Sequence, residues 1–426
     1  MKAAVMEAVR KPLVVKDVQD PSCPANGVII RAEAEGVCRS DWHAWSGDWG
    51  WIGLVPPLPL VMGHEFCGVV EEVGKESRNF KKGDRVLVPF SQGDGVCEYC
   101  RSGQSHICAN PMLPGFSYWG GYGHYVGVPN ADANLVPMPD DVGFEEGASM
   151  GCRFMTSYHG VVDRAQVRPG EWVAVHGCGG IGLSAIHVAA AIGANVIAVD
   201  LDDAKLELAK KIGAQYVVNG KKTDAVAAIV DITKGGAHVG VDALGVKATC
   251  QNSILSLRKQ GRSLQIGLTS AAEKGEVALP IDRMVTMELS LIASLGMPAN
   301  RYASMLQMVN AKKLDPKSMI TETISLGGAS AVLEQMTTFQ NVGVSIINKY
   351  TADGSELGSF ETLLTFTGGS HVSEIGGAGV SGYSFAGLSK NPHISIPVGY
   401  KERIDCQEFV TPVAPSTWGG IKSLYR

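Results

Sequence analysis

From Trp172 to Asp200 the chain reads WVAVHGCGGIGLSAIHVAAAIGANVIAVD, an apolar run, a glycine cluster, an apolar stretch of helical length and a second apolar run. That pattern predicts strand, glycine turn, helix and strand. LDDAKLELAKKIGAQYVVN continues with a helix and a strand, and HVGVDAL and GRSLQIGL are further apolar strands. Strands alternating with helices predict a parallel, doubly wound α/β sheet. Residues 1 to about 150 are patterned differently. Short alternating or apolar runs such as GVIIRAEAEGV, GVVEEVG and GDRVLVPF predict short strands joined by turns. Beyond about residue 295, helix-like and strand-like pieces continue to Tyr350.

The tail, Thr351 to Arg426, has neither a helical period nor a strand–helix alternation. Its ELGS stretch reads as a flexible linker or an engineered junction. Runs such as ETLLTFT, HISIPV and CQEFVTPV leave an appended small β element and disorder both open, and no function is assigned to it.

Composition narrows the function classes. A formal net charge of -5 and a pI near 6.1 lack the basic footprint of a nucleic-acid binder. Val173 to Val199 contains no Asp, Glu, Lys or Arg, yet five glycines, two histidines and an asparagine break it up, so a buried βαβ unit is expected there and not a membrane span. MKAAVMEAVRKPLVV lacks the apolar run of a signal peptide, and a cytoplasmic protein is expected. Among ten cysteines, the short spacing of Cys97, Cys100 and Cys108 points to metal binding in a reducing compartment.

Gly177-Cys178-Gly179-Gly180-Ile181-Gly182 follows a strand and opens a helix. In that setting the first glycine makes the turn, the second admits a pyrophosphate, and the third lets helix and strand pack closely. Asp200 ends the next strand, 18 residues after Gly182. An acid there binds ribose hydroxyls and repels a 2′-phosphate, so NAD is expected rather than NADP. His176 and His187 read as packing histidines.

Metal chemistry concentrates in GVCRSDWH, GHE and GCRFMTSY, which contain Cys38, His64 and Cys152. Two thiolates and one imidazole leave a fourth tetrahedral position open, as a catalytic zinc site requires. With the cofactor loop, these motifs make residues 1 to about 350 resemble a zinc-dependent alcohol dehydrogenase of the medium-chain dehydrogenase/reductase family.

The resemblance implies a GroES-like β-rich catalytic domain at 1–152 and 296–350, and a Rossmann NAD-binding domain at 153–295. It implies zinc ligation by Cys38, His64 and Cys152, with Glu65 as a carboxylate that approaches the metal, or alternatively an ordinary buried, paired acid. Asp41 matches the partner of the zinc-bound histidine. Ser40 matches a relay hydroxyl, and His43 the group that passes the proton to solvent. Arg39 matches a pyrophosphate contact, or is otherwise a surface charge. Thr156, Gly267 and Leu268 match the lining of the nicotinamide site. Arg153 stands where relatives often carry a small residue, and its role is open. Trp42, Trp45, Trp49 and Trp51, with Trp119 and Met297, form either an apolar wall of the alcohol pocket or interface or core packing.

Relatives often carry a lobe with four cysteines, and counting back from Cys108 puts the first position on Asp94. Asp94, Cys97, Cys100 and Cys108 are therefore expected to hold a second, structural zinc. The expected activity is reversible oxidation of a primary or secondary alcohol to the matching aldehyde or ketone by a homodimer or homotetramer. A polyol, sugar or formaldehyde-type dehydrogenase shares these motifs, and a non-catalytic scaffold is the reading from a different class.

Overall fold

The structure is a computed structural model and describes residues 1–348, so the linker and strand-like runs of 351–426 lie outside the described residues. Six parallel strands form one sheet in the spatial order Tyr216–Asn219, Asn195–Asp200, Trp172–His176, Ala237–Asp242, Leu257–Gln265 and Ser290–Ala293. The winding reverses between Trp172–His176 and Ala237–Asp242, the switch point beside which open sheets of this kind bind their ligands. The helix Gly180–Ile192 covers this point, with Leu183, Ala185, Ile186, Val188 and Ala189 fully buried. Its sequence is apolar on nearly every side because it is enclosed. Gly193, at φ +97°, ends it in the left-handed conformation that an L side chain avoids.

A second, seven-stranded sheet takes its strands from both ends of the described chain. Val28–Gly36 is its centre, paired antiparallel with Phe66–Val73, Tyr125–Val128 and Val344–Asn348. Val28, Ile30, Phe66, Val70, Val86 and Val126 fill its interior without exposure. Burial of each such side chain contributes roughly 1.5–3 kcal/mol. The two sheets share one apolar core that runs from Leu87 and Met150 through Phe154 to Val173, Tyr302 and Ile346.

The packing reading describes three of the tryptophans. Trp42, Trp45 and Trp49 are buried with Val37, Leu60, Met62, Leu333 and Met336. Trp42 Nε1 donates to Thr337 Oγ1 at 2.9 Å, and Trp45 Nε1 to the Lys11 carbonyl at 2.6 Å. Trp119 packs on the same cluster, Met297 belongs to the shared core, and Trp51 is exposed. His187 is a structural tie: its Nδ1 meets the Ile212 carbonyl at 3.1 Å, and its Nε2 accepts from Asp315 N at 2.8 Å. No helix among the described residues is long and apolar enough to cross a membrane.

Candidate active site and metal centres

Three chain segments deliver the central donor groups. Cys38 follows the strand Val28–Gly36 and precedes the helix Arg39–Ser46, and Cys152 precedes the helix Arg153–Tyr158. His64 lies in the turn between the strands Leu60–Val61 and Phe66–Val73. One donor atom from each of Cys38, His64, Cys152 and Glu65 lies within 4.8 Å of the others, all in buried residues. His64 Nδ1 contacts Asp41 Oδ1 at 2.9 Å. Asp41, itself without exposure, also accepts from Cys38 N at 2.9 Å and from Tyr122 Oη at 3.3 Å. The opposite ring nitrogen, His64 Nε2, is buried and has no hydrogen-bond partner among the described residues. An orphaned nitrogen beside two thiols fits a metal ion, and two sulfurs with one imidazole suit zinc. A hydrogen bond between the two thiols, chief among the causes, holds Cys38 well below its usual range and pushes Cys152 well above.

Arg153 acquires a role. Its backbone N and Nε donate to Glu65 Oε1 at 3.1 and 3.0 Å, its Nη2 pairs with Glu65 Oε2, and the same Nη2 donates to the Val37 carbonyl at 3.1 Å. Both residues are buried, at 4% and 0% exposure. Burial raises the Glu65 carboxyl to about 7 against the opposing pull of Arg153. Glu65 is thus a buried, paired acid that also stands among the donor groups within 4.8 Å of one another.

Ser40 and His43 share the helix Arg39–Ser46, with Ser40 half-buried in its first turn. His43 Nδ1 contacts Asp48 Oδ2 at 2.7 Å, and its ring stacks on Trp49 with centroids 4.4 Å apart and planes 7° from parallel. Burial, helped by the charge of Arg39, lowers His43 to about 4, so the imidazole is neutral at pH 7. Arg39 is no plain surface charge. Its guanidinium lies over Trp42 at 3.7 Å and Phe339 at 4.3 Å, and its Nη1 donates to the Met336 carbonyl.

The glycine loop meets its three requirements in turn. Gly177 has φ +94°. A Cβ at Gly179 would meet nothing within 4 Å, which leaves that backbone approachable, whereas one at Gly182 would lie 1.7 Å from the Gly177 carbonyl oxygen. A Cβ at Gly180 would strike Arg153 Cδ at 2.7 Å. Ser157 Oγ donates to the Ile181 carbonyl at 2.8 Å, which ties the Thr156 helix to the loop. Asp200 accepts from Cys178 N and Leu201 N at 2.7 Å and from Asp202 N at 3.0 Å, fixing its carboxylate at the strand end. Thr156 is buried, and Gly267 sits so close to Gly245 that a Cβ would lie 2.2 Å from its nitrogen. Leu268 beside it is exposed.

Sequence comparison agrees with this geometry. Residues 24–140 match the alcohol dehydrogenase GroES-like domain, and residues 180–311 match the zinc-binding dehydrogenase domain. An alcohol dehydrogenase of Geobacillus stearothermophilus is 36% identical over 79% of this chain and 95% of its own length. An NAD-dependent alcohol dehydrogenase of Sulfurisphaera tokodaii is 34% identical over 82% of this chain and 99% of its own. The chain belongs to the zinc-type alcohol dehydrogenase family. The crystal structure of the alcohol dehydrogenase from Aeropyrum pernix superposes with a TM-score of 0.74 at 29% identity, covering 82% of this chain and all of that one.

In this alcohol dehydrogenase-type chain a second donor group lies in the lobe, where single donor atoms of Asp94, Cys97, Cys100 and Cys108 fall within 4.8 Å of one another. Cys108 Sγ accepts from Asp94 N at 3.3 Å and Asn110 N at 3.2 Å, and Cys97 Sγ accepts from Cys100 N at 3.5 Å. Asp94 Oδ1 accepts from Val96 N and Cys97 N, and its Oδ2 from Asn110 Nδ2, each at 2.9 Å. Three sulfurs and a carboxylate fit a closed zinc site.

Two site residues escaped the sequence reading. Asp48 follows the left-handed turn at Gly47, and its tie to His43 exists only once that turn has formed. Glu35 accepts from Glu65 N at 2.8 Å, and as one of two acids alternating on its strand it carried no signal.

Proposed function

We propose that the chain is a zinc- and NAD-dependent alcohol dehydrogenase, interconverting small alcohols with their aldehydes or ketones. The observation that carries this reading is the buried His64 Nε2, without a hydrogen-bond partner among the described residues and grouped with the Cys38 and Cys152 thiols, in a chain whose glycine loop opens at a sheet switch point. Cys38, His64 and Cys152 would hold the catalytic zinc and leave its fourth position to substrate. When bound, zinc supplies Lewis acidity and NAD accepts the hydride.

The protein's own groups then have defined tasks. Asp41 fixes the His64 ring so that Nε2 addresses the metal. Ser40 takes the proton of the substrate hydroxyl and His43 delivers it toward solvent. Asp48 on Nδ1 leaves the neutral His43 with Nε2 as its acceptor. Amides of Gly179, Gly180, Ile181 and Gly182, at the N-terminus of a 13-residue helix, hold the pyrophosphate with Arg39. Asp200 takes the ribose hydroxyls and excludes a 2′-phosphate, while Thr156, Gly267 and Leu268 line the nicotinamide. The four lobe residues hold a second zinc that supports structure only.

The catalytic domain comprises 1–152 and 296–350, with the dinucleotide domain at 153–295. The edge strand Ser290–Ala293, with Leu291 exposed on it and Ile281 and Val285 exposed nearby, suits pairing with a second copy in a dimer or tetramer. Free cysteines among the described residues support a cytoplasmic location.

The test is NADH formation, followed by absorbance, across alcohols and polyols with and without a chelator, alongside metal analysis. Two zinc ions per chain and chelator-sensitive NADH formation are expected. Protein without zinc, or turnover indifferent to the chelator, overturns the reading. Turnover confined to polyols reassigns the substrate within the same chemistry.

A further inference from the structure

The segments that carry the three ligands converge on one side chain that is not a ligand. Arg153 directly follows Cys152, its partner Glu65 directly follows His64, and the carbonyl it also holds, Val37, directly precedes Cys38. Glycines surround the pair. A Cβ on Gly36 would lie 2.2 Å from Glu65 Oε2 and 2.8 Å from Arg153 Nη2, and one on Gly151 would lie 2.9 Å from Glu65 Cα. On the far side, the stem of Arg153 fills the space over Gly180, at the first turn of the dinucleotide-loop helix.

We propose that Arg153 is a positioning residue that holds the Glu65 carboxylate off the metal and ties the three ligand segments to the dinucleotide loop. Glu65 stands within 4.8 Å of the ligand atoms, close enough to become an extra oxygen ligand, and both its oxygens are taken by one guanidinium. Arginine suits this because its planar fork grips a carboxylate at two points and still has a donor for the Val37 carbonyl. A lysine ammonium cannot make all of these contacts from one place. The same side chain abuts the backbone that would receive the pyrophosphate, so the metal frame and the nucleotide frame move together.

This inference rests on the metal and dinucleotide reading above, and the experiment separates the two. Cobalt(II) replaces zinc in the purified protein, and its visible d–d bands report the ligand set. NADH affinity is measured without substrate. R153A is compared with R153K, and with R153A/E65Q in case the single variant, with its unpaired buried acid, fails to fold. In R153A and R153K the freed carboxylate joins the metal, and the d–d bands lose intensity and shift. In R153A/E65Q, which has no carboxylate, the wild-type bands return. NADH binding weakens about tenfold in R153A and stays weakened in the double variant, because the contact with Gly180 is lost in both. Unchanged bands in R153K, or bands in the double variant altered in the same way as in R153A, overturn the proposal. Wild-type protein that takes up no cobalt overturns the metal reading itself.

Discussion

The two donor clusters follow opposite plans. The central one draws donor groups from positions 38, 64 and 152, and all of them are buried. The lobe draws four from positions 94 to 108, and only Cys108 is buried. In the lobe, tight turns place the sulfurs and backbone amides point at them, so local sequence suffices. In the centre, ligand geometry is a product of tertiary packing, and charged groups behind the ligands complete it: Asp41 on His64, and Arg153 with Glu65 across the three segments. On the proposed reading, a local site of this kind can take a carboxylate such as Asp94 among its sulfurs, while the buried cluster depends on neighbours outside the donor set.

The largest effect expected to sharpen this contrast is His64→Ala. It should abolish measurable turnover and remove one metal ion per chain while the lobe keeps its own, as metal analysis and kinetics on the same sample will show. Retention of both ions would erase the distinction between the centres. Next, His43→Ala should lower kcat by about a hundredfold at neutral pH, the scale of a lost proton-transfer group, with metal content unchanged. Asp41→Asn should weaken metal affinity at the centre about tenfold, read by competition with a chromophoric chelator. Asp94→Ala should cost about 2 kcal/mol of folding stability with kcat nearly intact, which thermal unfolding with and without added zinc will measure.

The smallest effect concerns pH. His43 is lowered from 6.5 to about 4 by burial, so the unfolded chain binds more protons than the folded one between those values. Stability is therefore complete above pH 6.5 and declines as pH falls toward 4. His176, buried on its strand and likewise lowered to about 4, adds to the same slope. His176→Leu should flatten the pH dependence of unfolding in that window, whereas substitutions in the exposed part of the lobe should leave it alone.

Legibility followed the same division. The glycine loop, the lobe and the βαβ alternation are written in short spacings, so the sequence exposes them directly. The three central donor residues are visible through their residue types and flanking motifs. Arg153 stood out as an oddity, but its partner lies 88 residues away, and only the paired sheets bring them together. The tryptophan stretch was ambiguous because an apolar side chain near a site packs either toward substrate or toward core, and only the fold decides. Trp42, Trp45 and Trp49 go to the core.

The stack of His43 on Trp49 gives the protein a built-in optical reporter. An indole in face contact with an imidazole emits differently when that ring gains a proton, since a cation over the ring face draws on its π electrons. Emission from Trp49, isolated by subtracting the spectrum of a Trp49→Phe variant, would follow the charge state of His43 directly. The protonation of His43 could then be titrated in the resting protein without a label, a substrate or a turnover.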